Sequence, residues 1–113
     1  MSLRTKKVNS FIKEQISEIF NRELNLKPGV FLTVVKVDTT NDMRYTRIFI
    51  SVFPDVDRNY VLVALKNEKK RIQKALNAKM SMKIIPKIIF KLDTTEADAD
   101  KIEKLLKTIK RGV

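Results

Sequence analysis

Lys66, Lys70 and Lys74 recur every fourth residue, a spacing that puts them on one stripe of a helix, roughly opposite Leu65, Ile72 and Leu76. Ammonium groups at this spacing suit one kind of chemistry, the binding of phosphate oxygens. Between Lys66 and Lys91 stand nine cations (Lys66, Lys69, Lys70, Arg71, Lys74, Lys79, Lys83, Lys87 and Lys91), with Glu68 the single acid among them. Like charges four residues apart cost an isolated helix about 0.2–0.5 kcal/mol per pair, so the stripe does nothing for stability until an anion lies across it. A solvated lysine face is the plain reading of the stripe alone. The cations that continue through Lys79, Lys83 and Lys87 favour the functional one.

The whole chain leans the same way. Its 113 residues carry 24 Lys and Arg against 13 Asp and Glu, a formal charge of +11. Such an excess on one small domain implies a polyanionic partner, either nucleic acid or an anionic membrane surface. Cysteine and histidine are both absent. Disulfides, thiolate and imidazole metal ligands, cysteine nucleophiles and histidine bases are therefore excluded, and no cofactor is expected. With Gly29 and Gly112 the only glycines, no glycine-rich phosphate loop or nucleophile elbow exists. The basic start MSLRTKK leads into no signal-peptide core, and nothing approaches a membrane span, so a cytoplasmic location is expected.

Two other groups of residues invite a chemical reading. Tyr45, Phe49 and Phe53 share one face of a strand and, if exposed, would stack unpaired bases. Core packing is the expected use, although Ile48, Ile50 and Val52 make the opposite face apolar too. Asp38 with Asp42, and Asp55 with Asp57, could be paired carboxylates. They read instead as turn and cap residues, because no metal-ligand spacing surrounds them.

The elements that must carry these residues follow from periodicity. Val8, Phe11, Ile12, Ile16, Ile19, Phe20 and Leu24 predict an amphipathic helix, stopped at Lys27-Pro28-Gly29. Val30 to Asp38 and Tyr45 to Phe53 predict an antiparallel hairpin across Thr39-Thr40-Asn41-Asp42. Asp57 is the expected cap of a long helix from about Arg58 to Leu76, whose pattern fades near Asn77. Ile84 to Leu92 alternates as a third strand, with Pro86 placing it at a sheet edge or near the strand start. Thr95 is expected to cap a last helix carrying Ile102, Leu105, Leu106 and Ile109. The predicted order is α-β-β-α-β-α, an α+β fold.

Three stretches in this order resemble the bacterial ribosome-binding factor A family. They are Arg4-x-x-Lys7-Val8 leading into EQISEIFNREL, then DMRYTRIFISVF from Asp42 to Phe53, and IQKALNAKMSMKIIPKIIFKLD from Ile72 to Asp93. The resemblance implies a type II K-homology (KH-like) domain, a three-stranded sheet with helices on one face and a kinked helix pair before the last strand. It places residues 1–93 in the RNA-binding domain, with 94–113 a C-terminal helix within or appended to it. The family lacks the G-x-x-G loop of other K-homology domains and kinks around an Ala-x-Gly element. Glu68-Lys69-Lys70 stands at about that place here, a departure from the pattern.

The resemblance further implies a partner, the free small (30S) ribosomal subunit with its 16S ribosomal RNA, and a role in 5′-end maturation and growth in the cold. Physically, a rigid basic surface recognises folded RNA by phosphates and shape, and no chemistry or small-molecule substrate is needed. The chain is expected to be a non-enzymatic monomer. The expected RNA contacts are Arg4, Lys6, Lys7, Arg44, Arg47, Lys66, Lys69, Lys70, Arg71, Lys74, Lys79, Lys83 and Lys87. Arg44, Arg47 and Arg71 are the candidates for bidentate bonds. The alternatives are a general RNA-binding K-homology protein without ribosome specificity, a nuclease or hydrolase using Asp and Lys, and a peripheral membrane protein. The last is disfavoured by the narrow apolar face of the long helix.

Overall fold

A computed structural model describes residues 3–81 and 83–93. Its elements are helix α1 (Leu3–Glu23), strands β1 (Phe31–Thr39) and β2 (Tyr45–Phe53), a 3-10 turn at Asp55–Asp57, helix α2 (Arg58–Lys79) and strand β3 (Lys87–Leu92). The helix expected after Thr95 lies outside the described residues. The fold is α+β, as expected, with a mixed sheet in the order β1-β2-β3.

β1 and β2 pair antiparallel from Phe31 opposite Phe53 to Thr39 opposite Thr46, with a register shift between Val34 and Lys36. β3 runs parallel to β2, from Lys87 opposite Tyr45 to Leu92 opposite Ile50. A parallel pair requires a crossover, and α2 supplies it. Both helices lie on one face of the sheet. Ile12, Ile16, Ile19 and Phe20 of α1 and Val61, Leu65, Ile72 and Leu76 of α2 pack with Ile48, Ile50, Val52 and Ile88 to form the core.

The aromatic row does not enter that core. Ile48 and Ile50 are fully buried, whereas Tyr45 is 45% and Phe53 68% exposed, and the core-packing expectation is overturned. Both faces of β2 are apolar in composition, and the aliphatic face has taken the helix layer.

α1 begins earlier than its apolar periodicity predicts, so Arg4, Lys6 and Lys7 ride on its first turns rather than preceding it. The buried stripe opens with Thr5 and Asn9, polar residues that a search for apolar repeats passes over. Asn9 Oδ1 accepts the Thr39 N–H at 2.9 Å, tying the start of α1 to the end of β1.

Asp57 precedes α2 but its side chain makes no cap bond. Its carboxylate is taken instead by Lys27, 2.7 Å away, whose own backbone N–H donates to the Tyr60 hydroxyl at 3.0 Å. That ion pair raises the Lys27 pKa above its ordinary value. α2 runs as one helix through Glu68-Lys69-Lys70 to Lys79, rather than as the helix pair implied by the resemblance. It continues past Asn77, where its pattern fades, and stops at Met80 in an extended conformation.

β3 starts at Lys87, not Ile84, because Pro86 has no N–H for the ladder and Ile84 projects outward at 60% exposure. Gln73 of α2 completes the backbone bonding of this edge strand. Its Oε1 accepts the Ile88 N–H at 2.9 Å and its Nε2 donates to the Pro86 carbonyl at 3.1 Å.

Candidate nucleic-acid interface

The topology brings distant cations to one end of the molecule. β1 ends there at Thr39, and β2 and β3 both begin there because they run parallel. The Asn9 bond fixes the start of α1 at the same end. The finish of α2 is there too, since Lys7, Val8 and Phe11 line a cleft of about 260 Å³ with Lys79, Met80 and Ser81. Arg4, Lys6, Lys7, Arg44, Lys79, Lys83 and Lys87 therefore share one pole, and Arg44 and Lys87 are joined there by the Lys87 N–H donating to the Arg44 carbonyl at 2.9 Å.

A larger groove, about 520 Å³, runs between α2 and the β3 edge and is lined by Lys69, Lys70, Gln73, Lys74, Asn77, Lys87 and Ile88. Lys66 lies one turn before Lys70 on the same exposed side of α2. Among the described residues the ion pairs involve only Lys27, Arg44, Arg47 and Arg71 as cations. Lys66, Lys69, Lys70, Lys74, Lys79, Lys83 and Lys87 therefore hold unneutralised charge. Their aliphatic stems can lie along the surface while the ammonium groups reach solvent, an arrangement suited to successive phosphates.

The arginines behave differently. Arg71 lies 3.0 Å from Glu23 of α1 and 3.5 Å from Glu68. Arg47 forms a close ion pair with Asp38 across the hairpin, and its Nε is buried without a hydrogen-bond partner. These two were candidates for bidentate phosphate bonds, and here each guanidinium also pairs with a neighbouring carboxylate. Arg44 keeps only a loose 4.0 Å contact with Asp42 and is 74% exposed. Asp42, the acid at this pole, is engaged locally. The Thr40 hydroxyl and the Arg44 backbone N–H donate to it at 2.6 and 3.1 Å, and they hold its carboxyl below the usual range.

Lys36 and Lys91 were not among the expected contacts. They flank Phe49 from the neighbouring strands, and the Lys36 ammonium lies 4.6 Å from the ring centroid. Alternation along β3, which puts Lys87 and Lys91 on one face, was the signal that would have found the second. No cluster of three acidic, histidine or cysteine side chains able to hold a metal occurs among the described residues. No described helix is long and apolar enough to cross a membrane.

A family model for ribosome-binding factor A matches residues 4–106 of this sequence. The chain belongs to the ribosome-binding factor A family. It is 37% identical to ribosome-binding factor A of Chlorobaculum tepidum over 113 residues, covering 97% of this chain and 93% of that protein. The crystal structure of ribosome-binding factor A from Thermus thermophilus superposes with a TM-score of 0.67 at 20% identity, covering 78% of this chain and 93% of that one. A homology model of the Thermus thermophilus factor, fitted into the cryo-electron microscopy map of a 30S complex, gives a TM-score of 0.64 at 22% identity, over 75% of this chain and 90% of that one. At these identities the two structures speak for the fold. The family membership rests on the sequence match.

Proposed function

We propose that this protein is a ribosome assembly factor that binds the free small (30S) ribosomal subunit through its 16S ribosomal RNA and assists late maturation, including processing of the RNA 5′ end. The observation that carries the reading is the set of unneutralised lysines along α2 and at the basic pole, continuous from Lys66 to Lys87. The family membership and the 30S complex of the Thermus thermophilus relative support the choice of particle. The working contacts are Arg4, Lys6, Lys7, Arg44, Lys66, Lys69, Lys70, Lys74, Lys79, Lys83 and Lys87, each meeting a phosphate. Arg47 and Arg71 brace the scaffold.

The mechanism needs no bond made or broken. A rigid surface that fits one arrangement of an RNA better than its competitors shifts the RNA toward that arrangement by the difference in affinity. The protein acts as a monomer in the cytoplasm, and residues 1–93 form the binding unit, with 94–113 within or appended to it.

Cosedimentation with isolated small subunits, large subunits and joined ribosomes tests the reading. Preference for the free small subunit is expected, with a more than tenfold loss on reversing Lys66, Lys70 and Lys74 to Glu. Equal affinity for short unstructured RNA would indicate a general RNA-binding protein instead, and an unchanged triple variant would defeat the site assignment.

A further inference from the structure

The face of the sheet turned away from the helices carries residues that the core does not use and that the proposed phosphate contacts do not explain. Phe31 is 63% exposed and Phe53 68%, their ring centroids are 6.5 Å apart, and Tyr45 at the other end of β2 is 45% exposed. Along β2 the positions Tyr45, Phe49 and Phe53 follow at intervals of roughly 13 Å, four strand residues each. The paired rings of Phe31 and Phe53 form an exposed aromatic platform that no core contact uses.

The charges on the same face indicate which ligand. Phe49 stands between Lys36 and Lys91 in the cross-strand register, and Tyr45 stands opposite Lys87. Asp38 on this face is neutralised by Arg47. The centre of a protein–protein interface is depleted of charge, whereas here the Tyr45 and Phe49 rows each set a cation beside an aromatic ring. Alternating π-faces and cations match a chain that alternates bases with phosphates.

The geometry points to this open face as a second RNA surface, on which an unpaired single-stranded segment stacks bases on Tyr45 and on the Phe31–Phe53 pair while Lys36, Lys87 and Lys91 hold its phosphates. Lys87 lines the α2–β3 groove as well, so the two surfaces meet around the β3 edge. The inference rests on the RNA-binding reading of the protein and adds to it a distinct site with a distinct ligand state. Recognition is by stacking and is tolerant of sequence, since every base has a π-face.

The test uses the full-length protein and a fluorescein-labelled uridine decamer, followed by anisotropy. Tyr45→Ala and Phe53→Ala should each weaken decamer binding about tenfold, whereas Tyr45→Phe should stay within about twofold of the parent. A second readout comes from the protein itself, which has no tryptophan and two tyrosines. In a Tyr60→Phe variant Tyr45 is the sole emitter, and saturating decamer should quench it. Decamer affinity unchanged in both alanine variants, or Tyr45 emission unaffected at saturation, overturns the proposal. So does a concentration-dependent dimer abolished by Phe53→Ala, which would assign the face to a second copy of the chain. The Lys66, Lys70 and Lys74 reversal serves as the separating control. If it abolishes small-subunit binding while the alanine variants leave decamer binding intact, the open-face site falls and the ribosomal reading stands.

Discussion

The guanidinium of Arg71, midway along α2, lies 3.0 Å from the carboxylate of Glu23 at the end of α1. This contact joins the two helices, and Arg71 is not among the residues that line the lysine groove. A cation placed so braces the helix pair. Replacing Arg71 with Ala is expected to lower unfolding stability by less than about 1 kcal/mol, given its 63% exposure, and to change small-subunit binding less than twofold. Chemical denaturation and cosedimentation on the same variant check both statements. A large loss of binding at unchanged stability would return Arg71 to the interface.

Salt dependence would count the phosphates engaged under the proposed function, whose eleven contacts predict a slope of about −10 in log affinity against log salt. Lys66 and the groove lysines Lys69, Lys70, Lys74 and Lys87 would supply about −4.5 of it. Reversing Lys70 and Lys74 should flatten that slope by about 2. Small-subunit titrations at several potassium concentrations read it directly.

Gln73 is the groove residue whose loss should be felt in the fold. Changing it to Leu removes the acceptor for the Ile88 N–H, and a buried donor left unpaired costs about 1–3 kcal/mol. Hydrogen exchange should show the Ile88 amide losing protection before those of the β1–β2 pair.

The hairpin turn should respond to acid. Asp42 has its folded pKa lowered, chiefly by the Thr40 hydroxyl bond and then by the Arg44 N–H. The stability it contributes is fully present above the ordinary carboxylate pKa of about 4 and is lost as pH falls through the lower folded value. The Asp42 carboxyl resonance should titrate below that of an exposed aspartate, and Thr40→Val should move it back up.

The element order and the buried stripes of the two helices were legible because they rest on repeats of apolar residues. Ile12, Ile16 and Ile19 of α1 and Leu65, Ile72 and Leu76 of α2 could each be placed from spacing alone. Element ends were less so, since Thr5 and Asn9 bury polar groups that no apolar repeat marks. The outward turn of Tyr45 and Phe53 depended on which of two apolar faces the helices chose, a tertiary choice. The engagement of Arg71 and Arg47 was hidden for a related reason, as Glu23 is 48 positions from Arg71 and only the helix packing brings them together. The lysine stripe needed no tertiary knowledge and lies where its spacing put it.

The parallel pairing of β2 with β3 sets the loop-closure entropy of the last strand apart from that of the hairpin. Tyr45 and Lys87 are neighbours in the sheet but 42 residues apart in sequence, whereas the β1–β2 hairpin closes through a short local loop. Closing the longer loop costs more chain entropy, so the β2–β3 pairing depends on the crossover helix α2 to bring its strands together. The groove between α2 and β3, and the basic pole where β2 and β3 begin, are therefore products of the long-range pairing and of no single local element.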